Sequence, residues 1–510
     1  MFDKRKTKII IFSCFLIMWV IAVGVNIYAD QDHLLECMDV PLISKDEQDR
    51  FTQDLNFDIS ELTFNGIKVA ADSKSNTIYI SQSPDDLSHY STLHGALRTT
   101  NLMHTLYFVD NSAIKNIADS VCNGTPLTLI VVKGSSFRQV NVVITTLPVL
   151  SMEGTATTQK DAKGRQIIKG SLTLWSGFDP STDRYNVNTC STEWHVRGAS
   201  SSSYSKKPWK LLLKDKSGGN YNYDFLGMGA DDDWILNPMN LDDTKVREKF
   251  TMDLWNDFIY SSDNGYKMST GEYVEVVINH EYQGLYLLQR RVDAKYLQID
   301  QETDIIFKGY PTWSPATLQE GYEIIYSPFE YSTAYEILSD ALCNQEYSNI
   351  NLQNFIDVNL LLQFCATPDN TGYKNMFYVL HATHSGYQLY LVPWDTDMSM
   401  GTTWNDAFVY DYEQSMNSLP IRQEYSQMQE YYPQLDELIS ERWNELRENV
   451  CSESNIEQLL TDDIHTIQSS GAFDRDIASW GYHYGGNDTQ DELLRWCLER
   501  LTWLDNCYTK

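Results

Sequence analysis

The chain opens on a step from basic to apolar to acidic. Lys4, Arg5, Lys6 and Lys8 precede Ile9 to Ala29, an apolar run long enough to cross a bilayer as a helix. Asp30, Asp32, Glu36 and Asp39 follow. That order predicts residues 1–29 as a signal anchor or signal peptide with the remainder outside. Ile27 fits a cleavage site poorly, so the expectation is a single-pass cell-membrane protein with an extracytoplasmic C-terminal domain, secreted if the segment is cut. Residues 30–54 are polar and acidic and read as a linker, a stalk or a first helix. From Ile59 to Pro148, short β-rich runs (LTFNGIKVAA, NTIYIS, TLYFV, TLIVVKG, QVNVVITTLPVL) are bounded by Asn, Gly, Ser and Asp. They predict a small all-β module over residues 55–146.

The pattern changes near Leu147. QIIKGSLTLW, STEWHVRGA and KPWKLLLKD predict strands, and YVEVVIN and LYLLQRR form a hairpin around NHEYQG. Between them, Val246, Phe250, Leu254 and Trp255 recur at helical spacing over Asp243 to Ile259. After Ser332 the runs become amphipathic and long, interrupted by one more hairpin, KNMFYVLHATHSGYQLYLVPWD. Residues 147–507 therefore read as an α+β domain, β-rich in its first half and α-rich in its second.

Composition sharpens this in three ways. The 42% apolar and 21% charged residues support packed cores over 510 residues. A formal charge of −31 repels phosphate backbones and argues against nucleic acid as a partner. The 32 tyrosines and 13 tryptophans fit either aromatic core edges or a surface that stacks on sugars. Nine cysteines include no CxxC pair, which argues against a cysteine zinc site, and Cys497 with Cys507 is the first pair to consider for a disulfide.

Three segments carry candidate chemistry. Arg197-Gly198-Ala199 runs into Ser200 to Ser203, then Lys206, Lys207, Lys210 and Lys214: a glycine-serine turn flanked by cations in an acidic chain. Backbone N–H groups in such a turn cradle anions; a flexible turn with solvated lysines is the plainer reading. Asp369 and Asn375 lie either side of Gly372 after an apolar helix, a carboxylate base with a second oxygen ligand, or simply a helix-ending turn. Asp395 and Asp397 follow Pro393-Trp394 at a strand end and suit a hard cation, or an Asx turn. An anion cradle, a base carboxylate and a metal carboxylate in that order is the order of parts in a protein kinase. The HRD, DFG and GxGxxG signatures of ordinary kinases are absent.

At these residues the chain resembles the spore coat protein H (CotH) kinase family. The segments are VRGASSSSYSKKPWKLLLKD, FLGMGADDDWILNPMNLDDTKVREKF, YVEVVINHEYQGLYLLQRRVD, PDNTGYKNMFYVLH and LVPWDTDMSMG, within a CotH kinase-like domain spanning residues 147–507. The resemblance implies an atypical protein-kinase-like fold and transfer of the γ-phosphoryl of ATP to Ser or Thr of a protein substrate at the cell surface. It implies a divalent metal, Mg²⁺ or Mn²⁺, with Ca²⁺ a further candidate. It makes Asp369 the acceptor of the substrate hydroxyl proton, and Asp395 the metal ligand with Asn375 second and Asp397 assisting. Arg197, Lys207 and Lys210 would contact phosphates, and Gly198, Ser200 and Ser201 would lie over them. Lys207 and Lys210 face opposite ways on a strand, so at most one is the main phosphate lysine. Two departures stand out. Arg290 occupies a position where the family often has Glu, and Leu389 stands where an aromatic residue would stack on adenine. The alternative to an active kinase is a pseudokinase acting as a surface adhesin or assembly scaffold; a glycan-active enzyme using Asp369 and Asp395 is the remaining reading.

Overall fold

Period-two alternation builds the first half of the large domain. Strands β1 (Val149–Lys160), β2 (Gln166–Asp179), β3 (Arg184–Val196), β4 (Trp209–Lys214), β5 (Asp233–Asn237), β6 (Gly271–Ile278) and β7 (Glu281–Arg290) form a closed barrel, in the order β1-β2-β3-β4-β5-β7-β6. Neighbours are antiparallel except β1 and β6, which close the barrel in parallel with Val149 opposite Glu275. The structure is a computed structural model that describes residues 39–508, apart from 83–94, 111–120, 122–123, 180–181, 183, 263, 310–316, 344–348, 371–373, 404–406 and 415–421.

Leu150, Met152, Leu172, Trp194, Leu211 and Trp234 come from one face of their strands and pack as a single buried core. Gly154 and Gly170 sit opposite each other across β1 and β2. A Cβ on Gly154 would lie 2.4 Å from the Trp194 ring, and one on Gly170 1.9 Å from the Glu153 carbonyl oxygen. Glycine at both positions lets the strands pass closely while Trp194 fills the space beside them.

The other face of β5, β6 and β7 (Ile235, Tyr273, Leu285, Leu287) belongs to a second and larger core shared with the α-rich half. Its helices are α1 (Arg247–Ser262), α2 (Tyr331–Cys343), α3 (Leu352–Cys365), α4 (Arg422–Tyr431), α5 (Leu435–Glu448), α6 (Glu453–Ser469), α7 (Ala472–Trp480) and α8 (Gln490–Tyr508). A four-stranded sheet accompanies them, β8 (Ile305–Gly309), β9 (Tyr322–Tyr326), β10 (Met376–Thr383) and β11 (Gly386–Pro393), in the order β9-β8-β10-β11. Nearly every residue of helix α3 is buried, Asn354, Asp357, Asn359 and Gln363 included, which makes it a central helix of the domain. The Asn351 side chain caps it by accepting the Asn354 N–H at 2.9 Å. Ala366 ends it in the left-handed region at φ 48°, and Pro368 prevents its continuation. That stop places Asp369 at the end of a rigid element.

The all-β run before the barrel forms a six-stranded and a three-stranded sheet. Its core includes Val149, Trp175 and Val277 of the barrel. Phe64 leans on Trp175 with centroids 5.9 Å apart, and Tyr79 stacks on Tyr282 at 4.6 Å. Residues 39–54 are not a free stalk. Leu42–Ile43 adds in parallel to the strand Thr105–Val109, and Val40 is buried in the module core.

Two expectations are corrected. Among the described residues no helix is long and apolar enough to cross a membrane. The segment expected to do so, Ile9 to Ala29, lies outside the described residues. The single-pass cell-membrane placement with an extracytoplasmic domain, and the membrane as a partner, are therefore withdrawn. Cys497 and Cys507 are both free, so the bridge between them is not formed; Cys497 is instead packed in the large core.

Candidate active site

Two loops leave the β10–β11 hairpin and meet. Asp369 follows α3, and Asn375 immediately precedes β10. The Asn375 Nδ2 donates to Asp369 Oδ2 at 2.9 Å, and Lys374 pairs with the same carboxylate. Gly372, between them, lies outside the described residues. Buried Asn370 ties this loop to the next: its Nδ2 donates to the carbonyls of Asn375 and Trp394, both at 2.9 Å. The Trp394 N–H returns a bond to the Asn375 carbonyl at 3.0 Å. The Asp369 and Asp395 segments are thus stitched together through backbone.

Asp395 follows at the end of β11 in the left-handed region, φ 58°, and Asn375 has φ 53°. Non-glycine residues hold such conformations where the surroundings enforce them, often at functional sites. The Asp395 carboxylate is exposed and makes no hydrogen bond or ion pair among the described residues. Thr396 turns inward, and its N–H and hydroxyl donate to Glu248 Oε2 at 2.7 and 3.1 Å. Glu248 stands on the first turn of α1 and is fully enclosed. Burial, then the Asp395 charge, pushes its carboxyl up to about 7. Asp397 is held well above the ordinary carboxylate range by burial and by Asp395, Glu248, Asp242 and Asp369. Behind this cluster, Arg247 clamps the loop. It bonds Asp488 through two N–H···O contacts of 2.7 Å, Asp242 at 2.6 Å, and the carbonyls of Ser399 and Met400 at 3.0 and 3.1 Å.

The cationic segment approaches from the barrel. Arg197, just past β3, brings its guanidinium to 6.0 Å from the Trp394 ring centroid, and Asp395 is the carboxylate acting on it most strongly. Gly198 has φ 89°, and a Cβ there would meet Ser201 Oγ at 2.1 Å. Ser200–Ser203 follow as one 3₁₀ turn, closed by Ser202 and Ser203 hydroxyls donating to the Ala199 and Ser200 carbonyls at 2.7 Å. Lys206 is buried and donates to Asp476 Oδ1 on α7 at 2.7 Å, which pins the loop to the α-rich half. Lys207 donates to the Ser202 carbonyl at 2.9 Å, and Lys210 pairs with Asp233 at 2.9 Å. Both lysines already have partners within their own half.

A family model, CotH kinase protein, matches residues 194–504, more than half of the chain. The chain belongs to the CotH kinase family. The match begins inside β3, so the β module and strands β1 and β2 precede it. No curated protein matches the chain.

Within this CotH domain the two departures read from sequence acquire physical explanations. Register places Lys210 beside Ile235 and Ile235 beside Gln289, so the β7 side chain in line with Lys210 is Gln289. Arg290 shares its face with Trp234, lies over that ring at 5.5 Å and pairs with Asp231 at 2.7 Å. It replaces no partner of Lys210. Leu389 is 0% exposed inside the large core, so it offers no surface to a base. Tyr390 packs edge-on against Tyr266 at 5.4 Å. Sequence reasoning missed Glu248 and Lys308. Lys308, on β8, sits 5.0 Å from the Trp394 centroid and 5.3 Å from that of Phe377. The only available signal for Glu248 was a charged residue on a face otherwise predicted to be buried.

Among the described residues no group of three or more His, Cys, Asp or Glu side chains is spaced to hold a metal ion. Asp395 and Asp397, with the Asn375 amide oxygen, are nevertheless an all-oxygen set. None of these side-chain oxygens accepts a hydrogen bond among the described residues. That chemistry fits a hard cation held by few protein ligands together with phosphates, as Mg²⁺ commonly is.

Proposed function

We propose that this CotH domain is an atypical protein kinase that transfers the γ-phosphoryl of ATP to a Ser or Thr hydroxyl of a protein, with Mg²⁺ or Mn²⁺. The observation that carries the reading is the pair of stitched loops, one presenting Asp369 and the other an unpaired Asp395. Asp369 accepts the proton of the attacking hydroxyl, with Asn375 and Lys374 fixing its orientation. Asp395 holds the metal, with Asn375 and Asp397 beside it. The bound metal supplies charge neutralisation at the phosphates. Glu248 positions the Asp395 loop through Thr396, and Arg247 fixes that loop's far end. Arg197 and the Gly198–Ser201 turn face the phosphates.

The test is label transfer from γ-labelled ATP, with Mg²⁺ or Mn²⁺, to the chain itself or to a basic protein acceptor. The proposal expects acid-stable, base-labile label that Asp395→Asn abolishes. Wild-type chain that takes no label, and is not stabilised against heat by ATP with metal, would refute it.

A further inference from the structure

We propose that Lys308, on β8, is the principal phosphate-binding lysine of this site and acts as a pair with Arg197. The inference rests on the kinase reading above for its ligand, but its evidence is independent of it. Lys308 and Arg197 come from opposite halves of the domain, yet both approach Trp394, at 5.0 and 6.0 Å from the ring centroid. Neither side chain has a hydrogen bond or an ion pair among the described residues. Two unpaired cations gathered at one indole repel each other, and an anion between them removes that penalty.

The nearby carboxylates do not fill that role. Glu323 is the cross-strand neighbour of Lys308, but it pairs with Lys163 at 3.4 Å. Asp395 follows Trp394 directly and attracts both cations, but makes no ion pair with either. Placed there, it is separated enough to hold a cation of its own. Two positive groups beside a free carboxylate match a metal-complexed polyphosphate, whose oxygens bridge both. The Lys308 ammonium itself lies over the Trp394 and Phe377 rings, whose faces hold it in place. Burial and the Arg197 charge push its amine down to about 8, as expected of a cation lacking its counter-ion. The sequence-predicted lysines differ on this point: Lys207 and Lys210 are already engaged by Ser202 and Asp233.

The experiment measures amine acylation of the intact chain at pH 8, residue by residue by peptide mass spectrometry. It is run without ligand and with tripolyphosphate, ATP or adenosine, each with Mg²⁺. Binding of the same ligands is measured for Lys308→Met, Lys308→Arg and Lys210→Met. The proposal expects tripolyphosphate and ATP, but not adenosine, to protect Lys308. It expects Lys308→Met to weaken both by about 10- to 100-fold, Lys308→Arg to restore most of that, and Lys210→Met to weaken neither. Loss on Lys210→Met with Lys308 unprotected would overturn it, as would absence of protection by either polyphosphate. If tripolyphosphate protects Lys308 but ATP binds no more tightly and no label is transferred, the phosphate site stands and the kinase reading falls.

Discussion

Asp476→Asn tests how the glycine-serine loop is anchored. Asp476 on α7 is 0% exposed, and its Oδ1 accepts from Lys206 Nζ at 2.7 Å and from the Leu285 N–H at 2.9 Å. Lys245 Nζ lies 3.6 Å from Oδ2. One carboxylate therefore serves two buried cations, Lys206 being 2% exposed. The amide keeps the shape and the bond to Leu285 but removes the charge. Breaking a buried pair from one side costs about 3–5 kcal/mol. A second route bounds the same cost. Lys206 can shed its proton instead of staying charged, and from its folded value of about 8 that costs only about 1 kcal/mol at pH 7 and almost nothing at pH 9.

The second route is the cheaper one, and it becomes cheaper still as pH rises. In the wild type, burial already lowers the Lys206 amine to about 8, against the attraction of Asp476. Its folded value lies below its unfolded value, so the unfolded chain binds more protons between about 8 and 10.4, and this group's contribution to stability rises with pH there. In the variant the window opens further downward. Urea unfolding followed by tryptophan fluorescence should show a loss of about 1–2 kcal/mol at pH 7 that nearly vanishes at pH 9. A loss of about 3 kcal/mol or more at pH 9, or one that does not change with pH, would refute the reasoning.

Gly198→Ala forces a Cβ into the Ser201 hydroxyl at a φ of 89°; it should raise the KM for ATP roughly tenfold with little change in melting temperature, and an unchanged KM in steady-state assays would remove the turn from the nucleotide site. Asp463 on α6 is held up at about 7 by burial, with Asp253 and Glu272 adding to it against Lys249. Its folded value exceeds its unfolded one, so between about 4 and 7 the folded chain binds the extra proton and stability falls as pH rises. Asp463→Asn should flatten that slope and raise the melting temperature at pH 8, and calorimetry across pH 5–8 reads both.

How much of this was legible in the sequence depends on how local the signal is. Both hairpins, Gly271–Arg290 and Met376–Pro393, follow from alternation around a turn, and both form as expected. The contact between Asp369 and Asn375 spans six residues and was readable as one unit. Closure of the barrel was not, because β1 meets β6 more than a hundred residues later. Lys308 lies in IIFKG, a run that reads only as a buried strand. Its importance comes from Trp394 and Arg197, which the fold delivers from either side. Glu248 was obscured in the same way, since its partners Thr396 and Gln289 lie on distant segments. The face that Arg290 takes was not legible, because one residue of register decides it.

The central claim is that Asp369 acts on the hydroxyl proton and not on nucleotide binding. The measurement is the single-turnover rate of γ-phosphoryl transfer by Asp369→Asn at saturating ATP and Mg²⁺, with ATP affinity measured on the same sample. The account predicts affinity within about threefold of wild type and a transfer rate lower by about 100-fold or more. A transfer rate within about threefold of wild type would contradict it.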